Sequence, residues 1–169
     1  MSTSILNAPN PGSISQPSAG TRAFLELADD DAFQPIQTAY LSLLTVEDAS
    51  TITQSEREAI GLRIATLERS QIVADFHLFR LLELGSDEAH IAAVTDFPNG
   101  GQVGDRLKAI LEYADNLTCS ARQGTPGVLA VLRSTGFDPD EIIVISKLIT
   151  ALSFQIRVMA TVRALEDVA

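Results

Sequence analysis

Residues 138–159 read DPDEIIVISKLITALSFQIRVM. Asp138, Pro139 and Glu141 announce a helix. The acid can cap free backbone N–H groups, the proline has the φ of a first turn, and the glutamate sits near the positive end of the helix dipole. Behind them the chain is apolar on every side, with Ile142, Ile143, Val144, Ile145, Leu148, Ile149, Leu152, Phe154, Val158 and Met159. A helix without a polar face belongs at the centre of a fold or in an interface between subunits. The pattern predicts one long helix from Pro139 to about Glu166. Its uncharged run, Leu148 to Ile156 between Lys147 and Arg157, falls short of the roughly 20 residues of a membrane span.

Working upstream, Gly136 ends a helix that Thr125-Pro126 starts. Before it, Leu107, Ile110, Leu111 and Ala114 share one face of a helix over about Val103–Leu117. Pro98-Asn99-Gly100-Gly101 is a loop, preceded by a short helix that Ser86 caps and that runs to about Val94. A helix from about Ser70 carries Phe76, Leu81 and Leu84, and Gly85 stops it. Ser55 and Glu58 have the spacing of a capping box at the head of a helix bearing Ile60, Leu62, Ile64, Ala65 and Leu67. Residues 22–50 read as short helices broken by Asp29-Asp30-Asp31 and Pro35. Phe24, Leu27, Phe33, Ile36, Tyr40, Leu43 and Leu44 anchor them. Residues 1–20, rich in Ser, Pro, Asn and Gly, read as an arm that is flexible or held by a partner, and 21–169 as one helical domain. No segment alternates as a strand does. The expectation is an all-α fold of seven or eight helices with a long apolar helix at the C-terminus.

The totals narrow the function. The length suits one domain. A net charge of -10 repels phosphate backbones and anionic lipid, so neither nucleic acid nor membrane is an expected partner. Cys119 is the single cysteine, which rules out an intrachain disulfide and a cysteine-based zinc site. The N-terminus has no basic region followed by an apolar run. These features predict a cytoplasmic protein with no metal and no cofactor.

Few residues carry chemistry. His77 lies among apolar neighbours, and Ser70, Val73 or Ala74, and His77 fall on one helix face. His90 follows Asp87 and Glu88 and reads as a surface residue. Arg157 inside an apolar helix requires a counter-charge, such as Glu58 or Asp75, or a bound anion.

Three stretches together resemble a known family. They are Ser55-Glu56-Arg57-Glu58, then Ser70-Gln71-Ile72-Val73-Ala74-Asp75-Phe76-His77, then Leu84-Gly85. In the carboxymuconolactone decarboxylase and alkylhydroperoxidase D-like superfamily, a glutamate on one helix precedes Cys-x-x-Cys-x-x-x-His on the next. Ile110 to Thr118, Leu132 to Phe137, and Gln155-Ile156-Arg157 resemble its second half, so the likeness covers most of residues 35–165. With the histidine placed on His77, the glutamate falls on Glu58 and the two cysteines on Ser70 and Val73. Disulfide cycling needs a peroxidatic thiolate and a resolving thiol, and neither serine nor valine can serve.

The resemblance implies a homo-oligomer, trimeric or hexameric, and a choice among three functions. The first is a non-thiol acid-base enzyme, lyase- or decarboxylase-like, acting on a small organic acid. His77 and Glu58 would move protons, Ser70 would bond the substrate, and Arg157 and Val73 would help hold it. The second is a non-catalytic structural or regulatory oligomer. The third is a peroxidase that uses Cys119.

Overall fold

Thr53, two residues before the serine that the pattern favoured, caps the first strongly formed helix. Its hydroxyl accepts from the Glu56 backbone N–H, and the Glu56 carboxylate accepts from the Thr53 N–H at 2.8 Å. Thr-x-x-Glu at 53–56 and Ser-x-x-Glu at 55–58 both have the capping spacing. The first wins because the Glu58 side chain is engaged elsewhere. This corrects the expected Ser55–Glu58 box.

The computed structural model describes residues 34–45, 52–120 and 126–166. The arm 1–20 and the anchors Phe24, Leu27 and Phe33 lie outside them. Seven helices and no strand occur among the described residues. They are α1 (Gln34–Leu44), α2 (Gln54–Leu67), α3 (Gln71–Glu83), α4 (Glu88–Thr95), α5 (Asp105–Cys119), α6 (Pro126–Ser134) and α7 (Pro139–Glu166). The ends follow local chemistry. Asp138 and Glu141 cap α7 reciprocally, each backbone N–H donating to the other's carboxylate at 2.6 and 2.8 Å. Asp87, not Ser86, caps α4. After α3, Gly85 takes a φ of 84° while the Ser86 N–H closes on the Leu81 carbonyl at 3.0 Å. Arg69 makes the same kind of turn after α2 with φ 58°, a left-handed position that costs a residue with a Cβ about 1 kcal/mol.

The hub is α2. Every residue from Arg57 to Ala65 is buried, and the helix packs against α1, α3, α4, α5 and α7. One of its flanks faces a core shared with α1, α5 and α7, the other a smaller cluster with Leu81, Val94, Phe97 and Leu111. Its charges are buried because each has partners. Arg63 makes a two-pronged bond to Asp115 at 2.6 and 2.7 Å and another to the Thr95 carbonyl. Arg57 donates to the carbonyls of Ile52 and Leu43. Arg106 of α5 reaches both capping glutamates, Glu56 at 2.8 Å and Glu141 at 3.4 Å, and lies over the Phe137 ring.

The long apolar helix exists with the expected bounds, but it is less enclosed than its composition suggested. By length and composition Pro139–Thr161 could cross a membrane, and 39% of its most apolar window is buried. The expectation stopped the apolar run at Lys147 and Arg157; the helix itself continues through both. It packs against α1, α2 and α5 and leaves Ile143 and Phe154 about half exposed.

If Thr53 is the cap, Thr53→Ala should lower unfolding free energy by about 1 kcal/mol. Ser55→Ala should stay within about 0.5 kcal/mol of the parent. Urea unfolding of the two variants checks this.

Candidate functional site

Glu58 and His77 meet across α2 and α3. His77 Nδ1 stands 2.8 Å from Glu58 Oε2. The other ring nitrogen, Nε2, stands 2.6 Å from the hydroxyl of Tyr40 on α1. His77 is 0% exposed, and Glu58 and Tyr40 are 1% exposed. The other Glu58 oxygen accepts from the Gln54 amide at 2.7 Å and from Arg80 at 3.4 Å. Arg80 in turn bonds Glu83.

The proton positions follow from these partners. A carboxylate only accepts, so Nδ1 carries the hydrogen and donates to Glu58. In the neutral ring Nε2 then accepts, and the phenol donates to it. Burial, with the charge of Glu58 adding to it, raises the Tyr40 pKa well above its ordinary value, which keeps that hydroxyl a donor. The ring is therefore fixed in one tautomer with both nitrogens engaged.

Gly61 of α2 makes this approach possible. A Cβ at this position would run into the His77 ring, with all three of the nearest atoms belonging to the imidazole. The ring also stacks edge-on to Phe76 and Tyr40, with centroids at 5.1 and 5.9 Å.

The remaining candidates lie apart. Ser70 is the residue before α3, and its hydroxyl makes no capping bond. It borders a cavity of about 390 Å³ together with Thr66, Arg69, Gln71, Asp75 and Leu78. That cavity is lined by positions 71, 74, 75 and 78 of α3, one step around the helix from 73 and 77. Val73 is fully buried in the main core and does not line it. Glu58, His77 and Tyr40 line neither this cavity nor the shallow groove along α7. Arg157 is exposed and pairs with Glu68 at 3.1 Å. The expected counter-charges Glu58 and Asp75 are thus not its partners, because Arg157 projects outward from α7. His90 is half-buried, with a ring nitrogen lacking a partner, and so is less of a surface residue than expected. Cys119 is exposed at the last position of α5. Among the described residues no group of His, Cys, Asp and Glu could hold a metal ion.

Tyr40, Gln54 and Arg80 escaped the sequence reading as site residues. Gln54 and Arg80 stand four residues before Glu58 and three after His77, so helical spacing offered a signal. Tyr40 is 37 residues from His77, and no local spacing marks it. A second buried polar contact lies nearby, where the Gln155 amide of α7 donates to Gln37 of α1.

No family model matches this chain, and no curated protein matches it. Among solved structures it is similar to the alkylhydroperoxidase AhpD core, an uncharacterized peroxidase-related protein from Ralstonia eutropha JMP134. The TM-score is 0.68 at 15% identity, over 90% of this chain and 91% of that one. At that identity the likeness establishes the fold, an all-helical alkylhydroperoxidase D-like arrangement.

Gly61→Ala should destabilise the protein by about 1–3 kcal/mol, since neither backbone nor ring has room to move. Tyr40→Phe strands Nε2 and should cost about 1–3 kcal/mol at neutral pH. The two proteins should then converge in alkali. An unfolded tyrosine ionises at about pH 10 and the folded one only at higher pH, so this part of the stability is whole below the unfolded value and falls as pH rises above it. Urea unfolding at pH 7 to 11 should show the wild type losing more stability than Tyr40→Phe.

Proposed function

We propose that this chain is a member of the alkylhydroperoxidase D-like superfamily that runs no dithiol peroxidase chemistry. Glu58, His77 and Tyr40 act in it as a structural tie between helices. The closure of His77 carries this reading: the ring is fully buried and both nitrogens bond groups of the same chain, at 2.8 and 2.6 Å. An acid-base catalyst must exchange a proton with a substrate within hydrogen-bond reach. Here the nitrogen that would act as base is occupied by a phenol. The thiol route fails on composition, since Ser70 and Val73 stand where the family pattern has cysteines. Cys119 offers no substitute: no described bond joins it to Glu58 or His77, and the chain has no second thiol to resolve an oxidised one. A homo-oligomeric assembly and a cytoplasmic location belong to the same proposal, supported by the resemblance and by the lone cysteine.

One observation favours a second reading, an acid-base enzyme of the lyase or decarboxylase kind. The 390 Å³ cavity beside Ser70 has a hydroxyl free of capping duty and an arginine, Arg69, on its wall. A small organic acid seated there would meet Arg69 rather than Arg157. His77 could act on it only after Tyr40 had moved off Nε2.

Reduction of an organic hydroperoxide with a dithiol reductant, by the wild type and by Cys119→Ala, tests the central point. The expected result is turnover no greater than buffer for both. Turnover by the wild type that vanishes in Cys119→Ala would overturn the proposal and make Cys119 a peroxidatic thiol.

A further inference from the structure

The outward face of α7 has an order of its own. Asp140, Ile143, Lys147, Thr150, Phe154, Arg157 and Thr161 are all exposed. They follow one another at alternating steps of three and four residues and so share one face of the helix. Ile143 is 49% exposed and Phe154 56%. They border a shallow groove of about 570 Å³ that is also lined by Ser146, Lys147, Thr150 and Ala151, with Leu43 of α1 at its side.

We propose that a second copy of this chain covers this face, its α7 packed antiparallel on a two-fold axis at the level of Leu148 and Ile149. In a two-fold interface, when residue i meets residue j, j also meets i. Turning α7 about that level places Ile143 against Phe154, Ser146 against Ala151, Lys147 against Thr150, and Asp140 against Arg157. The two large apolar residues of the face, Ile143 and Phe154, then meet each other. Ser146, Thr150 and Ala151 fall near the centre, where two helices come within about 8–10 Å, and the long Lys147 side chain can extend from there to solvent. The Ile143–Phe154 pairs lie about 16 Å apart along one helix and close the groove at both ends.

Charge selects this orientation. Antiparallel packing sets Asp140 of one copy opposite Arg157 of the other, twice. Parallel packing would set Asp140 on Asp140, Lys147 on Lys147 and Arg157 on Arg157. For a chain of net charge -10, two such oppositely charged pairs offset part of the general repulsion between copies. The Arg157 pairing with Glu68 uses one Nη2 contact of a guanidinium with five N–H donors. A lipid bilayer is the competing occupant of so apolar a helix. It would have to take Asp140, Lys147 and Arg157 on the same stripe, at about 2.5–3.5 kcal/mol for each charge near its centre.

Sedimentation equilibrium of the full chain tests the proposal. The expected mass is twice 18.1 kDa or a higher even multiple. Phe154→Glu should weaken the association by at least about tenfold, with helical content intact because the side chain is exposed. Asp140→Arg and Arg157→Asp should each weaken it, and the double variant should associate more tightly than Arg157→Asp alone. Both of those proteins lack the Glu68 pair, so the comparison reads the contact between copies. A monomer or a trimer at every concentration would overturn the interface. A double variant no tighter than Arg157→Asp would overturn the register. Co-sedimentation of the full chain with phosphatidylcholine vesicles would assign this face to lipid instead.

Discussion

The two hydrogen bonds of His77 hold three helices in register. Nδ1 ties α3 to Glu58 of α2, and Nε2 ties it to Tyr40 of α1. A fully buried imidazole without partners would carry a desolvation cost of a few kcal/mol, so α1, α2 and α3 must arrive together for the ring to be tolerated. Gly61 supplies the other half of the constraint, since the ring lies where its side chain would be. α2 can then serve as the hub because its own charges are paired within the core. Glu58 takes Gln54, His77 and Arg80; Arg63 takes Asp115; Arg57 takes two backbone carbonyls.

Much of the fold is legible in local chemistry. Pro126 begins α6, and Asp138, Pro139 and Glu141 begin α7 where their capping roles require. Gly85 and Gly136 fall just past helix ends with positive φ. Composition is a poor measure of burial in this chain. α7 is apolar all round yet keeps an exposed stripe, while α2 carries Arg57, Glu58 and Arg63 and is buried without a break from Arg57 to Ala65. Periodicity records which residues are charged and is silent on whether a partner waits across the fold. Asp115, 52 residues from Arg63, and Tyr40 are partners of that kind.

The site divides in the same way. Glu58 and His77 were paired through the resemblance, and the structure brings them together. Ser70 and Val73 share a face with His77 in a helical projection, but the cavity opens one residue further round α3. Ser70 reaches it only because it precedes the helix proper, and Val73 does not reach it. Helical spacing alone could not settle this, since a rotation of one position exchanges cavity for core. The outward direction of Arg157 was likewise hidden by the apolar residues on both sides of it.

The claim that the Glu58–His77–Tyr40 chain is a sealed tie can be read directly from the imidazole. Proton–nitrogen NMR of ¹⁵N-labelled protein would report which ring nitrogen of His77 carries the hydrogen and how fast that hydrogen exchanges with D₂O. The structure predicts a protonated Nδ1, an unprotonated Nε2 and exchange as slow as that of the core amides of α2. A proton on Nε2, or exchange as fast as that of exposed side chains, would contradict it and reopen His77 as a working base.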